Sequence, residues 1–167
     1  MKENRILTEE EQKTNNETKK HISNVKKNIK IFIDLLKERG INHDLTKLKD
    51  PELPLFTKLT PKLAACTYGS EEYKTFLDEL KPALEHHYAK NRHHPEHYPN
   101  SINGMTLVDL VEMFVDWKSA AMRHNNGNLL KSIEINSKRF NMDKQLTEIF
   151  NNTAELLDHK SKEDDSD

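Results

Sequence analysis

The chain has 167 residues, with 26 basic and 28 acidic side chains, nine histidines and a single cysteine. Its near-even charge, net −2, excludes a broadly basic nucleic-acid coat and a polyanionic tail protein, and one cysteine excludes a disulfide framework or a cysteine-rich zinc module. A single domain is expected at this length, since one core serves chains of ~100–200 residues. No apolar run approaches the ~20 residues of a membrane span, and the polar start MKENRILTEEEQKTNNETKK lacks the apolar stretch of a secretory signal. A soluble protein of the cytoplasm is therefore expected.

Residues 1–18 carry no sustained apolar period and read as a polar N-terminal arm or a peripheral helix. A first helix is predicted from about Lys19 to Glu38, where Ile22, Val25, Ile29, Phe32 and Leu36 step by three and four, with Gly40 as its stop. A short element should begin near His43 and end at Pro51. The stretch DPELPLFTKLTPKL holds prolines 51, 54 and 61 and is predicted to be a loop with short turns at most. The next helix opens at Ser70, a favourable N-cap followed by Glu71 and Glu72, and carries the stripe Tyr73, Leu77, Leu80 and Leu84, with Pro82 expected to bend it. Another opens at Thr106, where Thr106-x-x-Asp109 has the form of a capping box, and carries Leu110, Phe114, Trp117 and Ala121 up to Gly127. Helices around Leu129–Phe140 and through Leu146, Ile149, Phe150 and Leu157 complete the chain, with residues 159–167 an acidic tail. Without alternating strand patterns, the prediction is an all-α, single-domain bundle of five to six helices over residues 19–158.

Five of the nine histidines, His86, His87, His93, His94 and His97, fall within one short segment. Continuing the stripe 73, 77, 80, 84 by helical steps brings the inward face to His87, Asn91 and His94. A core histidine bonded to a carbonyl accounts for one such residue, whereas a metal accounts for a cluster. His43-Asp44 is a second feature. Neighbours on a helix point about 100° apart and cannot share an ion, but they can in an irregular turn; helix capping by Asp44 is the plainer alternative. His21 lies beside the buried stripe of the first helix. Glu112 and Asp116 form an i,i+4 carboxylate pair, and Asp116, flanked by Val115 and Trp117, would need a compensating cation if buried.

Taken in order, His21, His43-Asp44, His87, His93/His94 and Asp116 resemble the His…His-Asp…Asp signature of the HD-domain superfamily of metal-dependent phosphohydrolases, an all-α fold. In detail HDLTK (43–47), ALEHHYAKNRHHPEHY and MTLVDLVEMFVDWKSA also look like a family of phage and bacterial proteins without an assigned substrate. The resemblance implies a first metal held by His21, His43, Asp44 and Asp116, with Asp44 bridging to a second held by His87 and His94 or His93. His86 against His87, and His93 against His94, stay open as ligands. It implies divalent transition metal, two ions of Mn, Fe, Co, Ni or Zn. Lys47 and Glu112 join Asp44 as candidate catalytic residues, Glu112 as a proton shuttle or as the partner that orients a ligating histidine. Lys47, Lys90, Asn91, Arg92 and Arg123 are the candidates for binding substrate.

Two departures argue against a cyclic-dinucleotide substrate: the close spacing of the later histidines and the absence of the Gly-Tyr-Pro stretch of those phosphodiesterases. The expected substrate is a nucleotide or a similar small phosphorylated molecule, because no long basic, aromatic-lined stretch exists to track a polymer. No membrane partner is expected, a homodimer is left open, and the compartment is the cytoplasm, a host's if the chain is phage-encoded. The alternatives are an HD-type di-iron oxygenase and a non-enzymatic helical binding protein with a structural metal.

Overall fold

The computed structural model of the protein describes residues 5–67, 70–122 and 127–164. Among them are six α-helices and no strand: α1 (Glu9–Asn42), α2 (Glu52–Ala65), α3 (Glu71–Lys90), α4 (Leu107–Ala121), α5 (Leu129–Arg139) and α6 (Lys144–Asp164). Short 3-10 turns lie at Leu45–Leu48, Pro95–His97 and Ser101–Gly104. The all-α expectation is met. No helix among the described residues is long and apolar enough to cross a membrane.

The chain divides into two compact units, Met1–Ile41 and Asn42–Asp167. The first consists largely of α1. This helix starts ten residues earlier than its apolar period suggests, because Thr8 and Glu11 cap it. The Glu11 N–H donates to the Thr8 hydroxyl at 3.3 Å, and the Thr8 N–H donates to the Glu11 carboxylate at 2.9 Å. It also continues through Gly40 to Asn42.

The second unit holds two apolar clusters. Met113 and Phe114 of α4, Leu129 and Ile133 of α5, and Phe150 and Ala154 of α6 form one, with Trp117 and Leu146 against it. The α4 helix begins at the expected place. Thr106 accepts from the Asp109 N–H at 3.3 Å, and Asp109 accepts from the Thr106 N–H at 2.8 Å.

Leu59 of α2 with Leu80 and Ala83 of α3 form the other cluster, joined by Leu55, Phe56, Leu63, Phe76 and Leu84. Here the loop expected over the proline-rich stretch is corrected: α2 is a continuous helix. Pro51 is its N-cap and Pro54 falls in its first turn, where a missing N–H costs no helical bond. Pro61 removes one interior bond. Burial of the face Leu55, Leu59 and Leu63 on α3 outweighs it, since a fully buried leucine contributes ~2–3 kcal/mol.

α3 starts as expected, with the Ser70 hydroxyl accepting from the Tyr73 N–H at 3.1 Å. It runs unbroken past Pro82 to Lys90. Its stripe of Leu80, Ala83 and His87 is buried. Pairing α2 with α3 therefore brings the start of one helix beside the end of the other, where the histidines begin.

Candidate metal centre

Three segments of the second unit converge. The turn after α1 supplies His43 and Asp44. Asp44 has φ 57° and ψ 13°, the left-handed conformation, which breaks the helical repeat between the two neighbours and lets both face one region. His43 Nε2 lies 3.6 Å from Asp44 Oδ2. The end of α3 supplies His87, and the loop behind it supplies His93 and His94; His87 and His93 are each 1% exposed. α4 supplies Asp116, whose Oδ1 lies 3.4 Å from His43 Nε2.

Two groups of donor atoms result. Asp44, His87, His93 and His94 form one and His43, His93 and Asp116 the other, the atoms of each lying within 4.8 Å of one another. His93 belongs to both. The oxygens of Asp44 divide between them, with Oδ1 3.2 Å from His87 Nε2 and 3.5 Å from His93 Nε2, and Oδ2 toward His43. His87 Nε2 and His94 Nε2 are 3.0 Å apart.

Carboxylates stand behind the rings as well. Glu112 Oε1 lies 3.0 Å from His43 Nδ1 and 3.2 Å from His93 Nδ1, so it is placed as the partner that orients two histidines through their far nitrogens. Glu52, on the first turn of α2, lies behind His86 and His87, 2.7 and 2.9 Å from their Nδ1 atoms. Sequence reasoning did not single out Glu52, because the proline-rich stretch did not read as a helix. The signal was an acidic residue at the head of the spacing 52, 55, 59, 63, in register with an apolar face.

The charges follow from these neighbours. Asp116 and then Glu112 hold a proton on His43 against the cost of burial, and its pKa is pushed up to about 10. Burial would raise Asp44, but the His87 contact and Lys47, whose Nζ is 2.7 Å away, outweigh it and keep the carboxyl ionised well below the usual range. Burial, with His93 and His87 beside it, lowers His94 to about 3, so its ring is neutral. Burial likewise opposes ionisation of Asp116, and His43 reverses that.

This donor set fits a divalent cation. Asp44 Oδ1 and His93 Nε2 are buried without hydrogen-bond partners, although they are only 3.5 Å apart. Buried polar atoms are normally satisfied, and a cation between them would satisfy both. Imidazoles with carboxylates suit Mn, Fe, Co, Ni or Zn.

The other expected residues are placed as follows. His21 lies on α1 in the first unit, whereas both donor groups are drawn from the second. Lys47 is half-exposed beside Asp44, and Lys90 is exposed at the end of α3. Asn91 is buried as the C-cap of α3. Arg92 is engaged by Asp109, its Nε and Nη2 each donating at 3.2 Å to a different carboxylate oxygen. Arg123 lies outside the described residues. His97 Nδ1 faces the Tyr88 carbonyl at 2.9 Å.

Comparison with curated proteins and with solved structures finds no match. Residues 10–161 match the model of a family described as "Family of unknown function (DUF5662)", and the chain belongs to that family.

Proposed function

We propose that the protein is a metal-dependent phosphohydrolase acting on a nucleotide or a similar small phosphorylated substrate. The observation that carries the reading is the pair of partnerless buried donors, Asp44 Oδ1 and His93 Nε2, at the meeting point of two donor groups. The order along the chain of His21, His43-Asp44, His87, His93/His94 and Asp116 resembles HD-domain phosphohydrolases and supplies the reaction class. Asp44, His87 and His94 would hold one divalent ion and His43 and Asp116 a second, with the one Nε2 lone pair of His93 given to either of them. Such ions, when bound, acidify water and neutralise charge on an attacked phosphate.

The chain's own residues do the rest. Glu112 keeps the rings of His43 and His93 turned by their Nδ1 atoms. The half-exposed Lys47 ammonium, beside Asp44, offers a phosphate oxygen a charged donor. Lys90 adds positive charge at the end of α3, in a chain whose net charge would otherwise repel an anion slightly.

The test is a screen of nucleoside phosphates, phosphomonoesters and phosphodiesters with protein loaded with Mn, Fe, Co, Ni or Zn. Phosphate or nucleotide release that disappears in Asp44→Asn supports the reading. Absence of hydrolysis across the loaded series would overturn it.

A further inference from the structure

The buried carboxylate of Glu52 contributes no atom to either donor group, yet both of its oxygens are committed. Oε1 lies 2.7 Å from His86 Nδ1. Oε2 lies 2.9 Å from His87 Nδ1 and accepts the Thr46 hydroxyl at 3.0 Å.

Behind the His87 ring, hydrogen-bond counting leaves one solution. Thr46 has one hydroxyl hydrogen, and Glu52 takes it at 3.0 Å; giving it instead to His87 Nδ1, 3.2 Å away, would leave that nitrogen's lone pair against Glu52 Oε2 at 2.9 Å. The Asn91 amide has two N–H groups, one donated to Thr46 Oγ1 at 2.9 Å and one to the His87 carbonyl at 2.9 Å. Asn91 therefore has nothing left to give His87 Nδ1, although it lies 3.0 Å away. Turning the amide over would set its oxygen against the His87 carbonyl, acceptor against acceptor. Glu52 Oε2 is then the acceptor for His87 Nδ1, and Nδ1 carries the hydrogen. A metal-ligating imidazole is neutral and has one N–H, so with a cation bound Nε2 presents its lone pair on the side of Asp44 Oδ1 and His94 Nε2.

We propose that Glu52 is a positioning residue: through this closed network with Thr46 and Asn91 it presents His87 Nε2 to a divalent cation and sets how tightly the cluster holds it. The inference rests on the metal-dependent reading of the site. It adds a residue of α2 to a centre otherwise built from the 43–44 turn, the end of α3 with the loop behind it, and α4. A carboxylate behind a ligating histidine fixes its tautomer and raises its basicity, and removing such a partner costs about 10–100-fold in metal affinity.

The experiment uses the full chain and Zn(II), with Mn(II) and Co(II) in parallel. In Zn(II)-loaded wild type, long-range 1H–15N spectra of the imidazoles should show His87 bonded through Nε2 with a hydrogen on Nδ1. Bonding through Nδ1 would overturn the proposal without any variant. In Glu52→Gln, with folding checked by circular dichroism, affinity should fall about 10–100-fold. An affinity within about twofold of wild type would overturn the role of Glu52 while leaving the metal reading intact. Wild type that binds none of the three ions would overturn both. Should Glu52→Gln not fold, the wild-type spectrum alone decides.

Discussion

His87 and Glu52 are both buried, and the His87 Nδ1 lies 2.9 Å from a Glu52 carboxylate oxygen. Neither residue is at home in an apolar interior alone. Each meets the other's need: the carboxylate accepts and the ring donates. The opposite edge of the same ring, Nε2, faces Asp44 and His94.

His87→Ala should therefore damage the metal-free fold as well as the site. It removes a donor from a fully buried carboxylate, a loss on the order of 2–3 kcal/mol for a bond to a charged group. Denaturant unfolding of the metal-free variant measures this. A loss below about 0.5 kcal/mol would mean that Glu52 finds other partners.

Metal uptake should release a proton from the His43 side of the cluster. Asp44, Glu112 and Asp116 face this ring, with His93 packed on it at 4.4 Å between centroids. With its pKa raised to about 10, His43 holds its proton throughout the neutral range in the metal-free protein. That bound proton favours the fold: the gain is complete below the unfolded value of 6.5 and fades as pH rises through about 10. A metal bound through His43 must displace it, so affinity should rise up to about tenfold per pH unit below 10. Calorimetry at pH 7 in buffers of different ionisation enthalpy should show about one proton released for this site.

Asp109 should govern stability on the acid side. Burial would raise its carboxyl, but the Thr106 hydroxyl and N–H and then Arg92 outweigh it and lower its pKa. The sign is that of a depressed acid: its contribution is complete above the unfolded value of 3.8 and is lost as pH falls through the folded value. Asp109→Asn should cost about 1–3 kcal/mol at pH 7 and flatten the decline in stability between about pH 4 and pH 2. Unfolding midpoints of both proteins across that range check it; parallel curves would contradict it.

Leu59→Ala tests the helical assignment of the proline-rich stretch. Leu59 is fully buried between α2 and α3, and the truncation should cost about 2–5 kcal/mol. An exposed loop residue would cost almost nothing.

Much of this arrangement was legible in the residues. Helical steps from Leu80 and Leu84 pointed His87 inward because a helix keeps its period. Thr106 and Ser70 announced their caps by chemistry that acts within three residues. What escaped was structure set by more distant partners. The three prolines of the α2 stretch carry the local signal of helix breakers, although two of them stand where a helix needs no N–H. Glu52 was hidden with it. Thr8 and Glu11 also cap α1, but no apolar period follows them closely enough to mark the start. The helical steps extended to Asn91 and His94 fail because α3 ends at Lys90; His93 and His94 lie in the loop beyond it, and only the packed structure shows that His93 belongs to both donor groups.

Because His93 and Asp44 serve that meeting point, the most direct measurement is the metal content of purified wild type beside Asp44→Asn and His93→Ala, with each protein's fold verified. The account predicts stoichiometric divalent transition metal in the wild type and its loss, in whole or large part, from both variants. Wild type without metal, or both variants retaining the full complement, would contradict it.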